Sequence, residues 1–433
     1  MTEDQALGAS VIRRVSWRLL PFLMLAYLIA YIDRVNLGFA GLEMNQAIGL
    51  SKTVFGFGGG IFFIGYLLFE VPSNLAMERY GASRWIARIM ISWGFVSGAM
   101  ALAVGPNSFL GLRFLLGAAE AGFFPGVILY LTYWFPAEQR ARIIGIFMVA
   151  IPISSFVGSP ISGLILGMNG VLGLAGWQWV FILEAAPAVL LGIMSLYWLT
   201  DRPEHAAWLT AEQRGWLAAK LDNERLRASR VPPLSVWKTI FNKHVLILAL
   251  IYAGNSNASS TLSVWQPQII KGFGLNNLDT SLVNAIPFGI ASVVMILWGR
   301  NSDKTGERIW HSAIALAAIV LGLVATLATS TLLPTLALLT LAVCGTYAAK
   351  GPFWALSTEW LSGPAKAAGI AQINALGNFA AFGGISLLGL IKDSTDSYAL
   401  ASLPTAALAA VAMVVMLAVG RGQQRTTALA SSA

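Results

Sequence analysis

The sequence predicts an all-α membrane protein with twelve transmembrane helices arranged as two pseudo-symmetric six-helix halves. Three observations carry that expectation. Charged residues make up only 11% of the 433 and apolar residues 57%, with a mean hydropathy of +0.70, far from the quarter-charged composition of soluble domains. The apolar residues fall into runs close to the ~20 residues needed to cross a bilayer core of ~30 Å. A single long polar segment divides these runs six and six. Forty-three Gly and 17 Pro, largely inside the runs, suit helices that pack closely and bend, and suit a β-barrel poorly.

Bounded by charges, Pro or Gly, the predicted helices are 17–40, 53–76, 84–104, 107–130, 141–166, 177–199, 244–268, 280–300, 310–330, 333–355, 365–391 and 400–420. The first follows Arg13, Arg14 and Arg18 without a small-residue cleavage site, and reads as a retained helix, not a signal peptide. Residues 1–200 form the N-terminal half, 201–243 a linker, 244–420 the C-terminal half and 421–433 a tail. In the linker, Thr210-Ala-Glu-Gln213 has capping-box spacing, which predicts an amphipathic surface helix broken at Pro232-Pro233.

Charge distribution sets the orientation. Of the 28 Lys and Arg, 22 lie on the side of the termini, three (Lys52, Lys271, Lys392) on the other, and three (Arg34, Arg113, Lys350) within helices. The positive-inside rule then places both termini and the linker in the cytoplasm, with the chain expected in the inner (plasma) membrane as a monomer in the lipid bilayer. The net charge of +8 is therefore topology, and no nucleic acid is expected as a partner. Cys344 alone permits no intramolecular disulfide, and His205, His244 and His311 fall at membrane edges or in a loop, so no metal is expected. The sequence contains no P-loop, HExxH or GxSxG, which leaves no ground for an ATP-driven pump or an intramembrane enzyme. A channel or sensor stays open as a remote alternative.

Ionisable residues within the apolar runs are the candidates for chemistry, because each costs a few kcal/mol near mid-membrane and needs a wet cavity, a partner or a transported ion. Helix 1 holds Asp33 and Arg34 side by side. The pair either marks a helix end or belongs to a site. Arg34 is the best candidate anion ligand, since guanidinium stays charged and forks onto a carboxylate. Tyr31, one turn earlier, and Tyr66 in helix 2 offer hydroxyl donors or simply pack. In helix 4, Arg113 and Glu120 are seven apart and share a face. Glu120 either carries a coupling proton or forms a permanent ion pair with Arg34 or Arg113, and Asp33 either titrates or holds Arg34 in place. Arg113 draws in anions, binds a second acid or snorkels to the surface. Lys350 of helix 10 either points inward, so that two cations in opposite halves grip two carboxylates, or snorkels to the cytoplasmic face. Helix 7 carries a polar patch, Asn255 to Thr261, that bonds neighbouring helices or meets a hydroxylated substrate.

Two loops suggest duplication. After helix 2 comes Glu78-Arg79-Tyr-Gly81-Ala-Ser-Arg84, and after helix 8 Asp303-Lys304-Thr-Gly306-Glu-Arg308. Each has an acid, a base, a Gly three residues after the acid and then an Arg, at the same place in its half, as parallel transporter repeats do. These loops resemble the signature gating loops of the major facilitator superfamily. Glu70-Val-Pro72-Ser-Asn74-Leu, Tyr31-Ile-Asp33-Arg34-Val-Asn36, Arg113 with Gly117-Ala-Ala-Glu120-Ala-Gly122, Trp134-Phe135-Pro136 and Pro352-Phe-Trp354 are similar to its organic-anion branch, the anion:cation symporters. The resemblance runs from about residue 17 to 420. It implies the major facilitator fold, with Asp33 and Glu120 in proton coupling, Tyr31 and Tyr66 lining the anion pocket, and Trp354 with Asn374 or Asn378 as pocket walls. The expected function is import of a small organic anion, a hydroxy-dicarboxylate such as tartrate, with protons as the coupling ion and no cofactor. Carriage of an aromatic or sugar acid, or anion exchange, is the alternative.

Overall fold

The computed structural model describes residues 3–229, 242–361 and 365–431. Among these, twelve helices are long and apolar enough to cross a membrane: Glu3–Ala47, Lys52–Tyr80, Ala82–Leu102, Pro106–Thr132, Ala137–Leu166, Gly176–Trp198, Lys243–Lys271, Asn277–Thr305, Ile309–Ala328, Leu332–Trp360, Ala368–Thr395 and Tyr398–Gly420. They are numbered spans 1 to 12 below. The chain is a multi-pass membrane protein. Its outer surface is apolar in the manner of lipid-facing helices, with Leu68, Val71, Leu75 and Phe95 all exposed.

Span 1 is much longer than the predicted 17–40. Residues 3–16 are polar on one side and match no apolar run, yet they continue the helix because the linker helix Ala211–Ser229 packs against them. Trp216 closes on Gly8 and donates to Asp4 at 2.8 Å, while Gln213 donates to Ser10 at 3.2 Å. The capping box forms as read: the Gln213 amide N–H donates to Thr210 Oγ1 at 3.2 Å and the Thr210 N–H to Gln213 Oε1 at 3.3 Å. Thr210→Ala is expected to cost this helix about 1 kcal/mol, read as roughly fivefold faster amide exchange over 211–229. The expected break at Pro232-Pro233 lies outside the described residues.

One span is interrupted where the sequence reads it as continuous. Span 4 stops at Glu120, is extended at Ala121 (ψ 133°), turns through Gly122 at φ +85° and resumes at Phe123. Gly122 is required twice over, by its positive φ and by the Ser73 side chain that a Cβ would strike. Spans 5 and 10 run through Val149 and Ala349 with helical backbone angles, Lys350 following the latter. Span 4 thus sets Glu120 at its break.

The halves meet through span 2 on span 11, span 5 on span 8 and span 1 on span 7. Hydrogen bonds that join them cluster at the face opposite the termini. Asn277 donates to Glu43 at 2.6 Å, Lys52 Nζ to Gln268 at 2.7 Å, and Asp393 of span 11 accepts from the Lys52 and Thr53 amides at the start of span 2, at 3.1 and 2.7 Å. The loops near the termini instead tie each half to itself. Asp201 accepts from the Ser83 amide at 2.7 Å beside Gly81 (φ +92°). Arg308 pairs with Asp303 at 2.6 Å and reaches Glu359 at 3.8 Å, beside Gly306 (φ +68°). Glu78 and Arg79 close span 2, Arg84 opens span 3 and Asp303 and Lys304 close span 8, so the expected loops are largely helical and turn only at Gly81 and at Gly306.

Candidate functional site

A cavity of about 100 Å³ lies between the halves. Spans 1, 2, 4, 7, 10 and 11 supply its polar lining, and seven of the predicted binding residues reach it: Tyr31, Arg34, Tyr66, Arg113, Lys350, Asn374 and Asn378. Positions 33 and 34 are interior to a 45-residue helix, so they do not mark a helix end.

Arg34 is the centre of the N-terminal wall. Its Nε donates to Glu120 Oε1 at 2.7 Å and a terminal nitrogen reaches the same oxygen at 2.6 Å. The rings of Tyr31, Phe62 and Tyr66 surround the guanidinium at 5.1, 5.5 and 5.3 Å from its carbon, a collar that favours a cation while excluding water. Glu120 is sealed at 1% exposure, whereas 21% of the Arg34 side chain is open. The pair therefore presents its positive side to the cavity. Span 4 can reach Arg34 because Gly117 lies against the Phe62 carbonyl and Gly65 against that of Phe114, bringing the two backbones into contact.

Arg113 is 2% exposed and does not snorkel. Its Nε donates to the Gly58 carbonyl at 3.2 Å, its guanidinium lies 5.0 Å from the Phe62 ring centre, and its buried Nη1 has no acceptor. Lys350 does not snorkel either. It is 8% exposed, with Nζ 3.5 Å from Ser259 Oγ and 4.4 Å from the Tyr347 ring centre. Among the described residues it has no carboxylate within ion-pair distance. Three basic side chains, Arg34, Arg113 and Lys350, thus face the cavity, with Glu120 paired to Arg34 and Glu70 beside Asn374.

Two predicted residues stand elsewhere. Trp354 is off the lining and packs behind Tyr252, which does line the cavity, at 5.0 Å between ring centres. Asp33 turns away from Arg34 and bonds Trp93 at 2.7 Å, Ser97 at 3.0 Å and Asn36 at 3.3 Å. It does not hold Arg34 in place; Glu120 does. The helix 7 patch divides between its two expected roles. Asn257 donates to the Ala380 carbonyl and Asn255 to that of Thr346, while Asn255, Ser256, Ser259, Ser260 and Ser263 line the cavity. With Tyr252, these positions form one stripe at helical spacing, a signal present in the sequence but not read as a whole. Glu70, buried beside Asn374, and Glu184 of span 6 also went unassigned.

The pattern of the Major Facilitator Superfamily matches residues 23–389. The chain belongs to that superfamily. Two proteins of Agrobacterium vitis, each named "Putative tartrate transporter", are 50% and 49% identical to it over 415 and 419 residues, covering 96% and 97% of this chain and 96% and 93% of their own. Among solved structures, a bacterial homologue of the human lysosomal transporter Spinster aligns with a TM-score of 0.76 at 17% identity, over 94% of this chain and 97% of that one. This likeness establishes the major facilitator fold, two six-helix halves around a central cavity. The chain is a transporter of small organic substrates.

Proposed function

We propose that this member of the superfamily imports a small organic dianion with protons, a hydroxy-dicarboxylate such as tartrate, by alternating access. In this reading both termini are cytoplasmic in the inner membrane, and the contacts clustered at the opposite face make this the inward-facing state. The observation that carries the substrate class is Lys350. It is a buried cation without a carboxylate partner, on the wall across from Arg34, and a second carboxylate is what it lacks. The unpaired Nη1 of Arg113 points the same way. Serine hydroxyls of span 7 and the amides of Asn374 and Asn378 suit the hydroxyls of such a substrate. The names of the A. vitis relatives agree with it.

Coupling would pass through Glu120. A proton on Glu120 releases Arg34 for the substrate carboxylate, and substrate departure returns Arg34 to Glu120 and expels the proton. Lys350→Ala tests the grip on two carboxylates. In proteoliposomes it is expected to weaken tartrate by ~10- to 100-fold, the value of a charge-assisted hydrogen bond of about 1.5–3 kcal/mol, and to weaken a hydroxy-monocarboxylate far less. Equal losses for the two would refute a dicarboxylate bridge.

A further inference from the structure

Span 1 carries chemistry on two faces. Arg34 serves the cavity; Asp33 and Asn36, at 1% and 0% exposure, are buried on the other face against spans 3, 5 and 6. Span 6 brings Glu184 to them, at 4% exposure. Asp33 is saturated: Trp93 Nε1 donates to Oδ2, and Ser97 Oγ and Asn36 Nδ2 donate to Oδ1. Glu184 is not. Ser162 Oγ donates to its Oε1 at 2.6 Å, while its Oε2 has no donor. Asn36 adjoins both carboxyl groups, and its own Oδ1 is a second buried acceptor without a donor.

Among the described residues, no cation pairs with either carboxyl of this group. Span 3 presents Trp93 and Ser97, span 5 presents Ser162, and span 1 presents Asp33 and Asn36, so Asp33 is the ionisable neighbour of Glu184. From span 4, Glu120 and Arg113 act on Asp33 through space, and Glu120 is already committed to Arg34. Two carboxylates joined by one amide in a dry helix interface repel each other and lose their hydration, so they do not both ionise. The hydrogen count says which keeps the proton. Three donors suit an ionised Asp33, whereas Glu184 takes the Ser162 hydroxyl on Oε1 and leaves Oε2 bare, so the shared proton belongs on Glu184.

We propose that Glu184, with Asp33 and Asn36, forms a second proton-binding site of the transport cycle, separate from the substrate cavity and loaded in the conformation described. The step is simple: one proton from water forms the O–H bond on Glu184 Oε2, and its release to water on the other side restores the carboxylate. The transport role rests on the proton coupling proposed above. The site itself does not.

Infrared difference spectroscopy of the reconstituted full chain, between acid and alkaline buffer, tests the site. Glu120→Gln removes the other carboxyl assigned a proton; in that background a protonated-carboxyl C=O band is expected, and is expected to be lost on adding Glu184→Gln. Asp33→Asn, which removes the competing charge, should move the titration of that band to lower pH. A band that adding Glu184→Gln leaves unchanged, or a midpoint unmoved by Asp33→Asn, overturns the assignment. The proton-to-anion ratio, from the membrane potential and pH gradient that null net flux, tests the transport role. It should fall by about one proton in Glu184→Gln, and an unchanged ratio would make the proton a fixed structural one and end the transport role. Uptake by the unmutated protein that ignores an imposed pH gradient would refute the coupling reading instead, and leave the infrared result standing.

Discussion

Arg34→Ala is expected to abolish anion binding, with a loss of at least about 2 kcal/mol, or ~30-fold, and up to several thousandfold by the measured range for truncating a buried, hydrogen-bonded charge pair. Two effects add. The variant removes a guanidinium that is both collared by three aromatic rings and partly open to the cavity. It also strands Glu120, which is 1% exposed and takes both of its short contacts from Arg34; a buried carboxylate that loses its cation is worth 3–5 kcal/mol of destabilisation at the upper end. Arg34→Lys separates these effects, because it keeps a charge beside Glu120 and loses the planar fork. Calorimetric titration with tartrate should show the Lys variant folded and weak, and near-native affinity in either variant would refute Arg34 as the anion ligand.

The second large effect concerns coupling. Glu120→Gln should eliminate accumulation of the anion against its gradient, while counterflow of labelled for unlabelled anion persists. The amide cannot carry the coupling proton, and it also stops competing with substrate for the Arg34 fork. Binding should therefore become nearly independent of pH, and no looser than in the unmutated protein. Full uphill uptake by this variant, driven by a pH gradient in sealed proteoliposomes, would remove Glu120 from the proton path. It would leave the Glu120–Arg34 pair as a fixed strut.

The reach of the sequence can be judged from these same residues. The twelve spans were legible because bilayer thickness fixes both the length and the apolarity of a crossing helix. Arg34, Glu120 and Lys350 were legible because an ionisable residue inside such a run needs a reason. The direction of Asp33 was obscured by adjacency, although consecutive helical residues point about 100° apart, which lets Arg34 face the cavity while Asp33 faces span 3. Spatial neighbours from spans 3 and 6 decided its surroundings, and no local pattern announces those. Glu184 had a signal, a lone acid within the run 177–199, but no nearby cation to draw notice. The break after Glu120 was hidden because Ala-Gly is tolerated inside helices; the turn sets Gly122 against the Ser73 side chain of span 2, a contact no local pattern announces. The first fourteen helical residues were missed for a related reason, since their apolar face exists only to meet Trp216 and its helix.

Asp393 gives the closed face a particular mechanical character. It acts as an N-cap borrowed from the other half, accepting the Lys52 and Thr53 amides and the Thr53 hydroxyl that otherwise begin span 2 unsatisfied. Such a bond is worth about 1 kcal/mol net, because water can take the place of either partner. The exchangeable caps and amide bridges of this face come apart by hydration, bond for bond, above the apolar contact of Phe55 with Trp265 that joins the halves beneath them. These polar bonds are thus weak enough to unfasten singly, and specific enough to refasten in the same register.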